Sequence, residues 1–291
     1  MKANLIPLFH FLLLTTLGCK TNSEVVIQPE TNNSITTPGI KSDAIALYGM
    51  GNNTNGELGN NNWGNQSKPI QIETNVKSII SGFEWTGIIK EDNSLWMTEN
   101  RKLQKYVENV KMAAVGTDHV VFINSKNQLL GVGESFYGQL GEEASEKKVE
   151  LPRLIAENVI YVTAGDRNTF FIKSDNSLWG MGKNDQGQLG IGNDYPRQTT
   201  PIKILDNVQK VKSYIYFTLF LRKNGELFGT GFNEVNQLGE SDFLRVLTPQ
   251  KLTDNVIDMA CGYSHSLILK KDNSLWGLGA NHSGQLGLII L

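Results

Sequence analysis

One phrase recurs along this chain and dictates what it can fold into. It reads Leu47-Tyr-Gly-Met-Gly-Asn-Asn-Thr-Asn-Gly-Glu-Leu-Gly59. It returns as LLGVGESFYGQLG at 129–141, LWGMGKNDQGQLG at 178–190, LFGTGFNEVNQLG at 227–239 and LWGLGANHSGQLG at 275–287. A degenerate copy, LWMTENRKLQKY, starts at Leu95. The start-to-start spacings are 48, 34, 49, 49 and 48 residues, so one copy has lost its Gly-rich loop. A fixed beat of this length is the mark of a repeat architecture.

A second phrase keeps the same beat. Asn-Val occurs at 75–76, 109–110, 158–159, 207–208 and 255–256, and Gly82, Gly116, Gly165, Tyr214 or Gly262 follows seven residues after each Asn. A short apolar run, a charged turn such as KSDN, and the Leu-aromatic-Gly strand come next. A further strand is expected from the proline at Pro69, Pro152, Pro201 and Pro249. The 29 glycines and 29 asparagines favour turns over long helices. Four short strands per unit is the pattern of a propeller blade. One such sheet cannot bury both faces, whereas stacked blades can. The fold class expected is all-β: a β-propeller of five to six four-stranded blades over 43–291. It enters the repeat at a third strand and is expected to close incompletely. Pairing of 47–51 with 275–279 is the alternative that would seal it.

The pattern Leu-Trp-Gly-x-Gly-x-Asn-x-x-Gly-Gln-Leu-Gly, preceded by Gly-x-x-His-Ser-Leu-x-Leu, resembles the regulator of chromosome condensation repeat family; the copy at 255–287 carries it almost in full. The resemblance spans about residues 45–291 and implies a β-propeller. The family's founding member is an exchange factor for a small GTPase, and a similar propeller inhibits a secreted enzyme. Both activities stand as alternatives to a plain protein-binding scaffold. The even beat leaves no room for an inserted wedge in any long copy.

The N-terminus reads as a targeting segment. Lys2 precedes a mostly apolar stretch, Leu5 to Leu17, that is too short and interrupted to span a bilayer. Gly18-Cys19 then resembles a lipoprotein cleavage box, although Thr16 stands where leucine is usual. Residues 1–18 are expected to be a bacterial signal peptide, with Cys19 the lipidated residue of the mature chain. Residues 19–42, rich in Thr, Asn, Ser and Pro, form a tether that cannot bury a core. The expected place is the bacterial cell envelope, at the outer membrane or cell surface and held there by the lipid alone, with a periplasmic or secreted protein as the alternatives.

Chemistry is sparse. A net charge of −2 and a pI near 6.1 argue against a nucleic-acid partner. His119 and His265 share a repeat position with Trp85, Asn168 and Phe217, which marks a structural histidine, and His282 lies in a variable loop. Cys261 follows Met-Ala and is expected to be a buried hydrophobe. The loops at 52–56 and 184–187 lack the carboxylates of a calcium site. The acidic run Glu142, Glu143, Glu146 and Glu150 reads as solvated surface. No catalytic residue, metal or cofactor is expected. The paired glycines should allow close backbone approach, the aromatics Tyr48, Trp96, Trp179, Phe228 and Trp276 should pack between blades, and in Gln-Leu-Gly the leucine should be a buried peg and the Gln should hydrogen-bond a loop backbone group. That leaves an unknown protein as the partner. Trp63, Tyr195 and Phe243, apolar groups on the long loops, are the candidate contact residues. An open propeller edge would add self-association.

Overall fold

The computed structural model describes residues 45–82, 86–141 and 148–287, within a compact unit that runs from Ile45 to Leu291. The signal segment, the tether, Cys19, Trp85 and the acidic residues 142–146 lie outside the described residues. Among the described residues no helix is long and apolar enough to cross a membrane.

The described residues form strands in repeating groups. β1 (Ala46–Gly51) and β2 (Gln66–Thr74) make a two-stranded sheet. The first full blade is β3 (Val76–Ser81), β4 (Thr86–Lys90), β5 (Leu95–Glu99) and β6 (Lys102–Val107). The second is β7 (Val110–Val115), β8 (His119–Asn124), β9 (Leu129–Gly133) and β10 (Val149–Ala156). The third is β11 (Val159–Ala164), β12 (Asn168–Lys173), β13 (Leu178–Lys183) and β14 (Arg197–Leu205). The fourth is β15 (Val208–Ser213), β16 (Phe217–Arg222), β17 (Leu227–Phe232) and β18 (Arg245–Thr253). β19 (Val256–Cys261), β20 (His265–Lys270) and β21 (Leu275–Gly279) make a three-stranded sheet. All pairings are antiparallel. The architecture is thus a propeller of six sheets, four of them complete.

First strands of neighbouring blades touch one another, as β3 does β7 and β11 does β15, so they lie nearest the axis. The fourth strands are the exposed outer edge. That position explains their prolines, since an edge strand tolerates a residue with no N–H to donate. These strands begin at Gln66, Val149, Arg197 and Arg245, three or four residues before the proline that the sequence pointed to.

The asparagines hold one end of the seams between blades. Asn75, Asn109, Asn158, Asn207 and Asn255 all have φ between 59° and 61°, the left-handed region that Asn tolerates better than most residues. Asn93, Asn127 and Asn176, in the turns between second and third strands, share it. The carbonyls of these three accept from the Val110, Val159 and Val208 amides of the next blade at 2.8–3.1 Å. At the other end, Thr169, Thr218 and Ser266 hydroxyls donate to the Gln139, Gln188 and Gln237 carbonyls of the preceding blade at 2.7–2.8 Å.

In the copies at 129–141, 178–190 and 227–239 the repeated phrase acts as expected, whereas Leu58 and Leu286 of the first and last copies are only half-buried. Leu140, Leu189 and Leu238 are buried pegs. The Gln139, Gln188 and Gln237 side chains accept from the amides two residues before them. In the Gly180-x-Gly182 pair, a Cβ at Gly182 would lie 2.4 Å from the Arg167 carbonyl, and a bulge falls between the two glycines. Trp179 and Phe228 pack partly buried between blades, but Tyr48 and Trp276 are more than half exposed. For those two the expectation fails, because the sheets carrying them are incomplete. The degenerate copy closes as a tight hairpin: Asn100 and Arg101 both have positive φ, as a two-residue hairpin loop requires.

β1 pairs with β2 and β21 with β20, so 47–51 and 275–279 do not pair with each other. Leu275 is 67% exposed, whereas its counterparts Leu95, Leu129, Leu178 and Leu227 are fully buried. The following-side face of the last sheet is uncovered among the described residues.

Candidate functional site: an aromatic and acidic loop face

Strand direction alternates, so the loops joining strands one to two and three to four emerge at the same end of each blade. The first kind lies near the axis and the second farther out. Trp63, Tyr195 and Phe243 all lie on the outer kind and are 53%, 71% and 72% exposed. The loops of Tyr195 and Phe243 are neighbours, tied by an Arg245–Asp194 ion pair at 2.9 Å. Leu244 beside them is also exposed. Trp63 belongs elsewhere: the Arg101 guanidinium stacks on its ring at 4.7 Å, so it covers the short hairpin of the next blade.

Nearer the axis is a cluster that sequence reading missed. Tyr216 and Tyr263 meet edge to face, with ring centroids 5.8 Å apart and an interplanar angle of 87°. Tyr214 meets Tyr263 at 6.3 Å, and Phe232 lies 6.0 Å from Tyr216. Lys183 stands between Asp166 and Asp185 at 3.7 and 3.6 Å, with its ammonium 5.8 Å from the ring centres of both Tyr137 and Tyr216. Arg167 pairs with Asp118 at 3.0 Å and also faces Tyr137. The Thr117 hydroxyl donates to Asp166 at 2.6 Å across the blade seam. The neighbouring Tyr263 phenol, then burial, raises the pKa of the Tyr216 phenol; burial, with Asp166 nearby, raises that of Tyr214.

The cluster escaped notice because its members sit at different repeat positions in different blades. One signal was available: the copy at 214–216 reads Tyr-Ile-Tyr where the four others begin with glycine. Glycine elsewhere has a packing reason, since a Cβ at Gly116 would lie 2.2 Å from the His119 ring. Phe217 replaces that histidine in the tyrosine-bearing blade.

Charge at this end is uneven around the cluster. Arg167, Lys183 and Arg245 are each engaged by a carboxylate. Among the described loop-end residues from 116 onward, Glu134, Glu234, Glu240 and Asp242 have no ion pair, against Lys148 and Arg197.

The histidines are structural or peripheral. His119 is buried, and its Nε2 lies 3.0 Å from the Thr169 hydroxyl of the next blade. Burial depresses its pKa to about 4. His265 is half-buried and His282 exposed. Cys261 points its sulfur at the Lys212 carbonyl at 3.3 Å, and desolvation pushes the thiol up to about 12, far from a reactive thiolate. No group of three or more His, Cys, Asp or Glu side chains fit to hold a metal occurs among the described residues.

The family model described as the regulator of chromosome condensation (RCC1) repeat matches residues 175–221 and 224–269. A second model of the same description matches 159–188 and 256–285. No curated protein sequence matches the chain. Among solved structures, yeast RCC1 (Prp20) bound to Kap60 aligns with a TM-score of 0.75 at 20% identity, covering 84% of this chain and 68% of that one. Prp20p of Saccharomyces cerevisiae, described with its binding to Gsp1p and histones, aligns at 0.75 and 19%, covering 84% and 70%. Human WBSCR16 aligns at 0.67 and 20%, covering 74% and 65%. Identities this low carry the fold and not an activity.

Proposed function

We propose that this chain, whose residues 159–285 match the regulator of chromosome condensation repeat, is an exported, membrane-anchored propeller that binds a protein partner and catalyses no reaction. The observation that carries this reading is the loop face: a cluster of half-exposed tyrosines on a rigid scaffold, with exposed Tyr195, Phe243 and Leu244 farther out. Tyrosine supplies large contact area at low entropic cost and is favoured at interface anchors. Yeast Prp20 is found bound to Kap60 and has binding properties to Gsp1p and histones, which supports a binding role for the fold.

Capture from the native cell envelope with the full chain tests the binding role. The expected result is a partner retained by the wild type and by Asp272→Asn, at the opposite end, and lost with Tyr263→Ala. Capture indifferent to Tyr263, or no capture at all, would overturn it.

Export and anchoring rest on Lys2, the apolar stretch 5–17 and Gly18-Cys19. Cys19→Ala is expected to release the protein from membranes or block its processing. The lipid is the sole anchor of this reading, so loss of the modified cysteine should be decisive. Fractionation that finds the variant processed yet still membrane-bound and detergent-requiring would refute the lipid assignment.

A further inference from the structure

We infer that the partner presents a lysine- or arginine-rich segment, and that Tyr216 and Tyr263, beside Asp166 and Asp185, seat its cations. This rests on the reading of the loop face as a docking surface and specifies the partner's chemistry.

Three observations lead there. The first is an internal example of the contact. Lys183 already places an ammonium between Asp166 and Asp185 and against the Tyr216 ring, so this geometry holds a cation. The second is unused aromatic surface. Tyr263 is 57% exposed although its ring meets both Tyr214 and Tyr216, and no cation of this chain lies over it among the described contacts. A cation over an aromatic face is attracted by the ring quadrupole, more strongly as water is excluded. The third is charge complementarity. Arg167, Lys183 and Arg245 are engaged, while Glu234, Glu240 and Asp242 on the adjoining loop have no ion pair and outnumber the unpaired Lys148 and Arg197. A basic segment would find counter-charges there; an acidic one would meet like charge.

The test uses the purified full chain and two labelled peptides, one alternating lysine with serine and one alternating glutamate with serine, read by fluorescence anisotropy. The lysine peptide is expected to bind and to weaken as salt rises, and the glutamate peptide to bind far less. Tyr263→Ser and Asp185→Asn should each weaken lysine-peptide binding roughly three- to tenfold. Asp92→Asn, at the other end, should leave it unchanged. Thermal melting confirms that each variant is folded, and either of the two face variants suffices. Equal binding of both peptides, or lysine-peptide binding unchanged in a folded face variant, would overturn the inference. If envelope capture through Tyr263 persists in that case, the docking face stands and only the basic chemistry falls. If capture is also lost, both readings fall.

Discussion

Acidification from about pH 7 to about pH 4 is expected to cost the propeller about 3 kcal/mol through one imidazole. His119 is 2% exposed and lies in a blade seam. Burial holds its pKa down to about 4, and the nearby Asp118 and Asp166 offset only part of that. An unfolded chain titrates this group near 6.5. The folded state therefore favours the neutral ring. Its contribution is complete above the unfolded value and drains away as pH falls towards the folded one, because the unfolded chain takes up the proton first. His119→Phe isolates the effect. Phe217 fills the same repeat position fully buried, and Thr169 keeps its bond to the Gln139 carbonyl at 2.7 Å. Unfolding midpoints of the two proteins should diverge as pH falls, with the variant losing about 3 kcal/mol less. Parallel pH profiles would show that this imidazole is not desolvated. The half-buried His265 should contribute less, since its pKa is lowered by burial on a sheet whose far side is open.

What could be read from the sequence was whatever the repeat states five times over. The Leu189 peg, the Gln188 side chain on a loop amide and the crowding at Gly182 are short-range consequences of one phrase, and each appears as that phrase requires. The strand starts before Pro69 and Pro201 were missed because proline marks a strand only where its missing N–H faces outward, and the pairing residues lie upstream. The asparagines read as turn formers, but not as the seam donors' acceptors, since Val208 and the Asn176 carbonyl meet only when two blades stack. The site suffered most. Tyr137, Tyr216 and Tyr263 come from three blades and share no repeat position, so only assembly brings them to one place. Tyr195 and Phe243 were identifiable as loop aromatics, whereas the Asp194–Arg245 tie between their loops spans two blades.

Leu227→Ala should cost about 3 kcal/mol, and the same change at Leu275 well under 1 kcal/mol. The two residues open the same strand of successive units. Leu227 is fully buried, in one cluster with Val256, Met259 and Ile268 of the next blade. Truncating it removes apolar transfer energy and leaves a void that the rigid seam cannot fill by collapse. Leu275 is 67% exposed, so its truncation uncovers little and leaves no void. Chemical denaturation of the two variants against the wild type compares identical chemistry in two environments, free of differences in residue type. Blade stacking makes the contrast sharp: a face is worth what its neighbour covers, and intrinsic strand propensity is the same for both leucines. A cost at Leu275 equal to that at Leu227 would mean that this face is covered in solution, by another segment or a second copy. Dependence of that cost on protein concentration would then identify the second copy as the cover.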